Sequence, residues 1–323
     1  MIPILYRADA ASFATFGLGA LSDVISCEVT EERNGEFECV FKYPVTGQNY
    51  SEIKKERIVK AKPNDTSGDQ AFRIYRITTP LNGIVKVYAQ HISYDLTHIA
   101  AVPWEASSIT PQLAIEHVFE NALTTHNFTF QTDYTAPKAF SVSKPKSLRA
   151  VLGGEEGSLV SLWGGEFEWD NFTVKHHRGR GQNTGVVVEY GKNLTKLEQD
   201  ADNCGVYTDL LPYAIIKDED GTETLVTLEE QVLPITGSTL IQPKTLIKDF
   251  TDSFGMDEEI TEDALREKAE TYLENNPLGV ETPTVTIAFE PLWKQPEYAA
   301  VLERVSLCDT VTVRHSELGI SVK

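Results

Sequence analysis

Residues 70–96, QAFRIYRITTPLNGIVKVYAQHISYDL, decide how the rest of this chain is read. Phe72, Ile74 and Ile77 stand among polar neighbours, and after the turn at residues 80–83 Ile84, Val85, Val87 and Tyr88 carry the chain back. Two β-branched runs around Asn82-Gly83 predict a hairpin, because Asn-Gly readily supplies the positive φ angles of a tight turn. The second run ends in Gln90-His91-Ile92-Ser93-Tyr94-Asp95-Leu96, which would pass unnoticed in an ordinary barrel.

Further strands surround this hairpin. Residues 24–29 lead to a polar turn at Arg33-Asn34-Gly35, and residues 36–41 (EFECVF) alternate with the period of a half-buried antiparallel strand. Residues 58–62 add a short strand closed by Pro63-Asn64-Asp65. Residues 1–97 therefore predict a compact barrel or curled sheet. Cys27 and Cys39 could face each other across one hairpin. With Cys204 and Cys308 they lack CxxC spacing and read as reduced thiols of a protein assembled in cytoplasm.

The pattern changes over residues 98–198, which predict a mixed α/β domain. Thr110-Pro111 opens a helix with Leu113, Ile115, Val118, Phe119, Ala122 and Leu123 as its apolar face. Residues 147–152 form a shorter helix stopped by Gly153-Gly154. Strands are expected at 128–132 and 167–175, and a last strand is placed to return to the first barrel.

Residues 199–323 turn β-rich again, with a helical insertion at about 243–282. Asp218-Glu219-Asp220-Gly221 predicts a hairpin turn between strands at 213–217 and 224–228. Residues 261–276 are the strongest helix: Thr261 can cap it, Glu262 and Asp263 suit its positive end, and Asn276-Pro277 stops it. Its apolar stripe is Leu265, Ala269, Tyr272 and Leu273. The last strands fall at 284–289 and 310–314. Residues 57–61 and 309–313 are similar β-branched strands, which would suit two versions of one barrel.

The totals bound the function. A length of 323 residues implies two or more domains, and 41% hydrophobic with 24% charged residues is ordinary for a globular protein. With 29 basic and 48 acidic residues the net charge is −19, which opposes specific nucleic-acid binding; a tube lined with such acidic groups would let a duplex slide without sticking. No run approaches the roughly 18 apolar residues of a membrane span. The start, MIPILYRADAASF, carries no basic leader, so no secretory signal is expected.

Four stretches, in order, resemble the amino-terminal hub part of the tail-associated lysin, or prophage endopeptidase tail, family of phage tail-tip proteins. They are the first hairpin with its Gln-His-Ile-Ser-Tyr-Asp ending; residues 153–170 (GGEEGSLVSLWGGEFEWD); residues 185–194, with Tyr190-Gly191-Lys192-Asn193-Leu194; and residues 307–313 (LCDTVTV). The resemblance implies an α+β, β-rich fold of two related β-barrels with intervening α/β domains, similar to the baseplate hub of contractile phages. It also implies a non-enzymatic homotrimer at the tail tip of a virion, assembled in the bacterial host cytoplasm. Implied neighbours are the distal tail protein and the tape-measure protein, with receptor-binding proteins or the host cell wall beyond. A three-fold ring needs a heterologous, closing contact, which exposed strand edges or apolar patches would supply. Longer relatives continue into a region that degrades peptidoglycan or carries fibres, and its lytic activity is not carried over to these residues.

Two other readings predict different features. A cell-wall peptidase or lysin predicts a nucleophile or metal constellation, and a receptor-binding module predicts clustered aromatics. The chain contains no HExxH or GxSxG sequence. His176-His177 would point to opposite faces of a strand and so make a poor metal pair, best placed at a solvated hairpin end. Residues 179–185 are glycine-rich but lack GxGxxG spacing and precede a strand, which excludes a phosphate loop. Asp218–Gly221 has its glycine at the fourth position, where a calcium loop needs it at the sixth. Glu155, Glu156, Glu166 and Glu168 read as surface and strand-face charges. Trp104, Trp163, Trp169 and Trp293 are spread along the chain and read as packing residues. His91 is expected to be a structural hydrogen-bonder. No catalytic, cofactor-binding or metal-binding residue, and no cofactor, is expected.

Overall fold

The computed structural model describes residues 2–78, 82–200, 203–217, 222–255, 258–281, 284–294 and 304–322. The chain forms two compact units. The first comprises Met1–Lys138, Lys144–Gln182 and Ser306–Asp309, and the second Ala139–Ser143, Asn183–Val305 and Thr310–Lys323.

Seven strands build the first unit's main sheet: β1 (Ile4–Tyr6), β2 (Gly19–Ala20), β3 (Ser26–Glu31), β4 (Phe37–Pro44), β5 (Ile58–Ala61), β6 (Gln70–Ile77) and β7 (Ile84–His91). Their order is β2-β1-β5-β6-β7-β4-β3 and every pairing is antiparallel. The sheet is open at β2 and β3, the curled form of the expected architecture. Alternation explains which face is inside. Phe37, Cys39, Phe41 and Tyr43 of β4 and Val85, Val87, Ala89 and His91 of β7 are buried, while their neighbours reach outward. The predicted hairpin is β6–β7, in register from Phe72↔His91 to Ile77↔Val87, with an irregularity between Ile74 and Arg76. Pro80 and Leu81 of its turn lie outside the described residues.

A 3₁₀ turn, Ile92–His98, follows β7. Then come β8 (Ala100–Ala101), β9 (Trp104–Ile109), α1 (Pro111–Glu120), β10 (Thr129–Thr132), β11 (Lys138–Val142), β12 (Lys146–Ser147), α2 (Leu148–Leu152) and α3 (Leu159–Trp163). Two expectations change here. In α1 the buried residues are Pro111, Ala114, Ile115, Val118 and Phe119, whereas Leu113 is 57% and Leu123 73% exposed. The helix stops at Glu120, so Ala122 and Leu123 lie beyond its last turn. The single strand expected at 167–175 is instead a hairpin of β13 (Glu166–Asp170) and β14 (Thr173–His177). Asn171, with φ 51°, makes the turn, a left-handed conformation that asparagine tolerates better than most residues. β10 joins β14 in parallel.

The second unit contains β15 (Asn183–Glu189), β16 (Leu194–Asp200), β17 (Asp209–Lys217), β18 (Glu223–Thr227), β19 (Leu233–Pro234), β20 (Thr245–Asp249), α4 (Glu262–Asn275), β21 (Thr284–Phe289), β22 (Thr310–His315) and β23 (Ile320–Val322). β15 runs parallel to β22, which pairs with β23. Among the described residues every strand of the seven-stranded sheet lies at or before His91. β16 pairs with β21, and β17 is flanked by β18, β19 and β20. The 218–221 turn lies outside the described residues.

Helix α4 behaves as its sequence predicts. Leu265 and Ala269 are buried against Leu210, Ala214, Phe250 and Phe254, with Tyr272 and Leu273 packed beside them. Thr261 Oγ1 accepts from the Ala264 N–H at 3.2 Å, satisfying one of the free donors at the helix start. Thr261→Ala is expected to lower stability by about 1 kcal/mol, read as a shift of the urea midpoint with an unchanged slope.

Candidate functional site: the corner after the first hairpin

The polar string 90–95 forms a hydrogen-bonded corner within the first unit. His91 is fully buried, its ring stacked on Phe37 at 4.5 Å and edge-on to Phe72 at 5.6 Å. Its Nδ1 accepts from the Ser93 N–H at 3.2 Å, which closes the 3₁₀ turn. That acceptor role fixes the neutral tautomer, so Nε2–H donates to Gln70 Oε1, also at 3.2 Å. Burial pushes the His91 pKa down to about 3, with the nearby Arg149 cation adding to the effect.

Each remaining polar member of the string also has a partner. Gln90 donates to Glu38 at 3.3 Å. Arg73 grips Asp95 through two bonds of 2.8 and 2.7 Å, a bidentate pair. Arg149 donates to Ser93 Oγ at 3.0 Å and lies over Tyr94 at 4.7 Å and Trp169 at 4.2 Å. Gln70 Oε1 also accepts from the Asn171 N–H at 2.7 Å, and Gln70 Nε2 donates to Asp170 at 3.2 Å. The corner thus ties α2 and the β13–β14 hairpin to the first sheet. Arg149, Gln70 and Asn171 were not legible as parts of it, because their sequence neighbourhoods carry no pattern that names a partner.

A second arrangement lies around β13 and β14. His176 and His177 do face opposite sides, but His176 is not at a solvated end. It is fully buried, with Nε2 on Gly164 O at 2.7 Å, Nδ1 on Thr132 Oγ1 at 3.1 Å and its ring stacked on Tyr134 at 4.8 Å. Strand β10 pairs in parallel beside β14 and leads to Tyr134, whose ring lies over His176, a placement no local sequence signal announces. His177 bonds Glu168 at 3.0 Å on the other side. Lys175 bridges Glu168 at 3.0 Å and Asp170 at 2.9 Å. Burial alone would raise these two carboxyl pKa values, but the bonds from Lys175 outweigh it and hold both below the usual range.

The other candidates fall into structural positions. Trp163 and Trp169 are buried, Trp104 stacks on His117 at 4.2 Å, and the Trp293 side chain lies outside the described residues. Glu166 pairs with Arg33 at 3.3 Å. Cys27 and Cys39 do approach each other, with Sγ atoms 3.6 Å apart and no disulfide. A cleft of about 500 Å³ in the first unit is lined by Phe13, Lys60, Asp69, Asn171 and Phe172 among others, and Lys60 there is held by Phe13 O at 3.0 Å. Among the described residues no cluster of three or more His, Cys, Asp or Glu side chains is placed to hold a metal, and no helix is long and apolar enough to cross a membrane.

Near the ends of the same unit, two distant segments cross. Gly181, at φ 87°, lies so close to Cys308 that a Cβ there would fall 2.3 Å from the Cys308 carbonyl carbon and oxygen. Asp309 locks the crossing by accepting from the Gln182 N–H and the Ser306 N–H, both at 2.7 Å. The glycine-rich 179–182 loop and Leu307-Cys308-Asp309 are therefore two halves of one fixed junction.

These elements define a β-rich α+β protein whose distinctive polar residues are spent on internal bonds. No protein-family model matches the chain, and no curated protein matches it in sequence. Among solved structures, the prophage tail protein gp18 of Listeria monocytogenes EGD-e is similar over 100% of this chain and 87% of its own, with a TM-score of 0.57 and 14% identity. A tail protein of Neisseria meningitidis MC58 is similar over 89% of this chain and 80% of its own (TM-score 0.53, 12% identity). The 43 kDa tail protein of prophage MuSo2 from Shewanella oneidensis is similar over 99% and 86% (TM-score 0.51, 11% identity). The chain has the fold of these prophage tail proteins.

Proposed function

We propose that this chain is a non-enzymatic structural hub of a phage or prophage tail tip. In this reading three copies form a ring that closes the tail channel and connects the tail tube to host-contacting parts of the virion. The distal tail protein and the tape-measure protein are its neighbours, with receptor-binding proteins or the cell wall further out. Residues 1–97 and 199–323 would supply the two barrels of each subunit, and 98–198 the α/β part between them. The observation that carries the reading is the fold likeness to prophage tail protein gp18, which extends over 100% of the chain. The polar corner at His91 supports it, since its groups serve packing rather than chemistry.

The deciding experiment is solution mass by light scattering across concentration and salt. A trimer has a mass of about 108 kDa (3 × 35.9 kDa) and a formal charge of 3 × −19 = −57. Screening should therefore favour assembly, and the trimer fraction is expected to rise with salt. A monomer at every condition that stays monomeric on co-expression with the other tail proteins would sink the ring. Release of muropeptides from purified peptidoglycan would overturn the non-enzymatic part.

A further inference from the structure

The edge strand β3 is open to pairing. Among the described residues it bonds only to β4, in the register Ser26↔Lys42 to Glu31↔Phe37. The Glu32 N–H donates to Glu36 O at 2.7 Å, which makes residues 32 and 36 a hydrogen-bonded pair. By antiparallel alternation Ser26, Glu28 and Thr30 spend their backbone groups on β4, and Cys27, Val29 and Glu31 turn theirs to the open side. None of those three makes another backbone–backbone bond among the described residues. The opposite edge, β2, is two residues long, whereas β3 has six and contains neither proline nor lysine, the usual guards of an exposed edge.

Charge says what would fit there. On one face of this edge Glu28, Thr30 and Glu32 are exposed, and Glu36 is exposed at the start of the returning strand. Glu28, Glu32 and Glu36 have no basic partner among the described residues, while Glu31 is tied to Arg180 at 2.7 Å and Glu38 to Gln90 at 3.3 Å. A second copy laid against β3 would bring like charges together, on a chain already at −19. On the opposite face Cys27 and Val29 are half-buried and offer an apolar shoulder. We propose that the free edge of β3 receives an extended segment of a partner protein, with alternating basic and apolar side chains, as an eighth strand. Main-chain bonds to Cys27, Val29 and Glu31 supply its affinity, and Glu28 and Glu32 select its charge.

The test uses the whole chain and an acetylated, amidated eight-residue peptide of alternating lysine and valine, followed by calorimetry. Saturable binding that weakens as salt is raised is the expected result. The double variant Glu28→Lys, Glu32→Lys should weaken that peptide about tenfold and bind its glutamate–valine counterpart instead. Val29→Pro removes an edge donor while leaving the β4 ladder intact, and should abolish binding. If Val29→Pro fails to fold, the charge-reversed chain decides alone. Absence of saturable binding to the native chain overturns the proposal, as does binding that charge reversal leaves unchanged. Self-association that Val29→Pro abolishes would also overturn it, by naming a second copy as the occupant.

Discussion

Gly181→Ala is expected to cost about 3 kcal/mol or more, one of the two largest effects anticipated from a single conservative change. Two penalties combine. At φ 87° an alanine is strained wherever it sits, and here its Cβ would lie 2.3 Å from the Cys308 carbonyl group and 2.6 Å from the Asp309 nitrogen. Those atoms are backbone, so no side-chain rotation relieves the overlap, and the Asp309 bonds to Gln182 and Ser306 must give way. Gly179 provides the control: it has open space around its Cβ position, and Gly179→Ala should stay within about 0.5 kcal/mol of the parent. Urea unfolding of both variants reads the difference. Equal midpoints would show that the crossing is looser than its geometry implies.

Acid should weaken the protein well before its carboxylates titrate, and His91 is the main cause. Unfolded, an imidazole titrates near 6.5; in the fold the His91 pKa is pushed down to about 3. Between these values the unfolded chain holds a proton that the folded chain refuses, so stability rises with pH across the window. The contribution is complete above about pH 6.5 and is lost as pH falls toward 3, at up to about 1.4 kcal/mol per pH unit. Burial lowers the pKa values of His126 and His176 as well, which adds slope of the same sign. Glu168 and Asp170, both held low, begin to lose their contribution as pH falls through the ordinary carboxylate range near 4, which steepens the acid end of the same window. His91→Gln removes the titrating ring and should cost about 2 kcal/mol at neutral pH, yet flatten the pH dependence between 6.5 and 4.5. An unchanged slope in this variant would show that His91 is not the group responsible.

How far the sequence could be read depended on the range of the interaction. The β6–β7 hairpin and α4 were legible because their patterns are local: period-two alternation on either side of Asn82-Gly83, and a capped stripe at helical spacing. The division of residues 166–177 into two strands was missed because Asp170-Asn171 resembles ordinary strand polarity until Asn171 is seen with a positive φ. His176 was misplaced for a different reason: its partners Thr132 and Tyr134 come from more than 40 residues upstream, brought there by the parallel pairing of β10 with β14. The corner around His91 stands out in the sequence only through the family resemblance it carries, since as a run of residues it would pass unnoticed. Its partners Gln70, Arg149 and Asn171 lie 21, 56 and 101 residues from the groups they bind, beyond any local pattern.

The pairing of β15 with β22 also governs how this chain can be made. During synthesis β15 leaves the ribosome about 120 residues before the strand it pairs with, since Glu189 lies opposite Arg314 and Asn183 opposite Thr310. Until then Val186 and Val188, buried in the finished protein, belong to a strand with no mate. Closing so long a loop is slow, and an unmated apolar strand invites pairing with other nascent chains. Yield from a cell is therefore expected to be limited by the wait for β22, so slower growth at low temperature or a holding chaperone should recover soluble product.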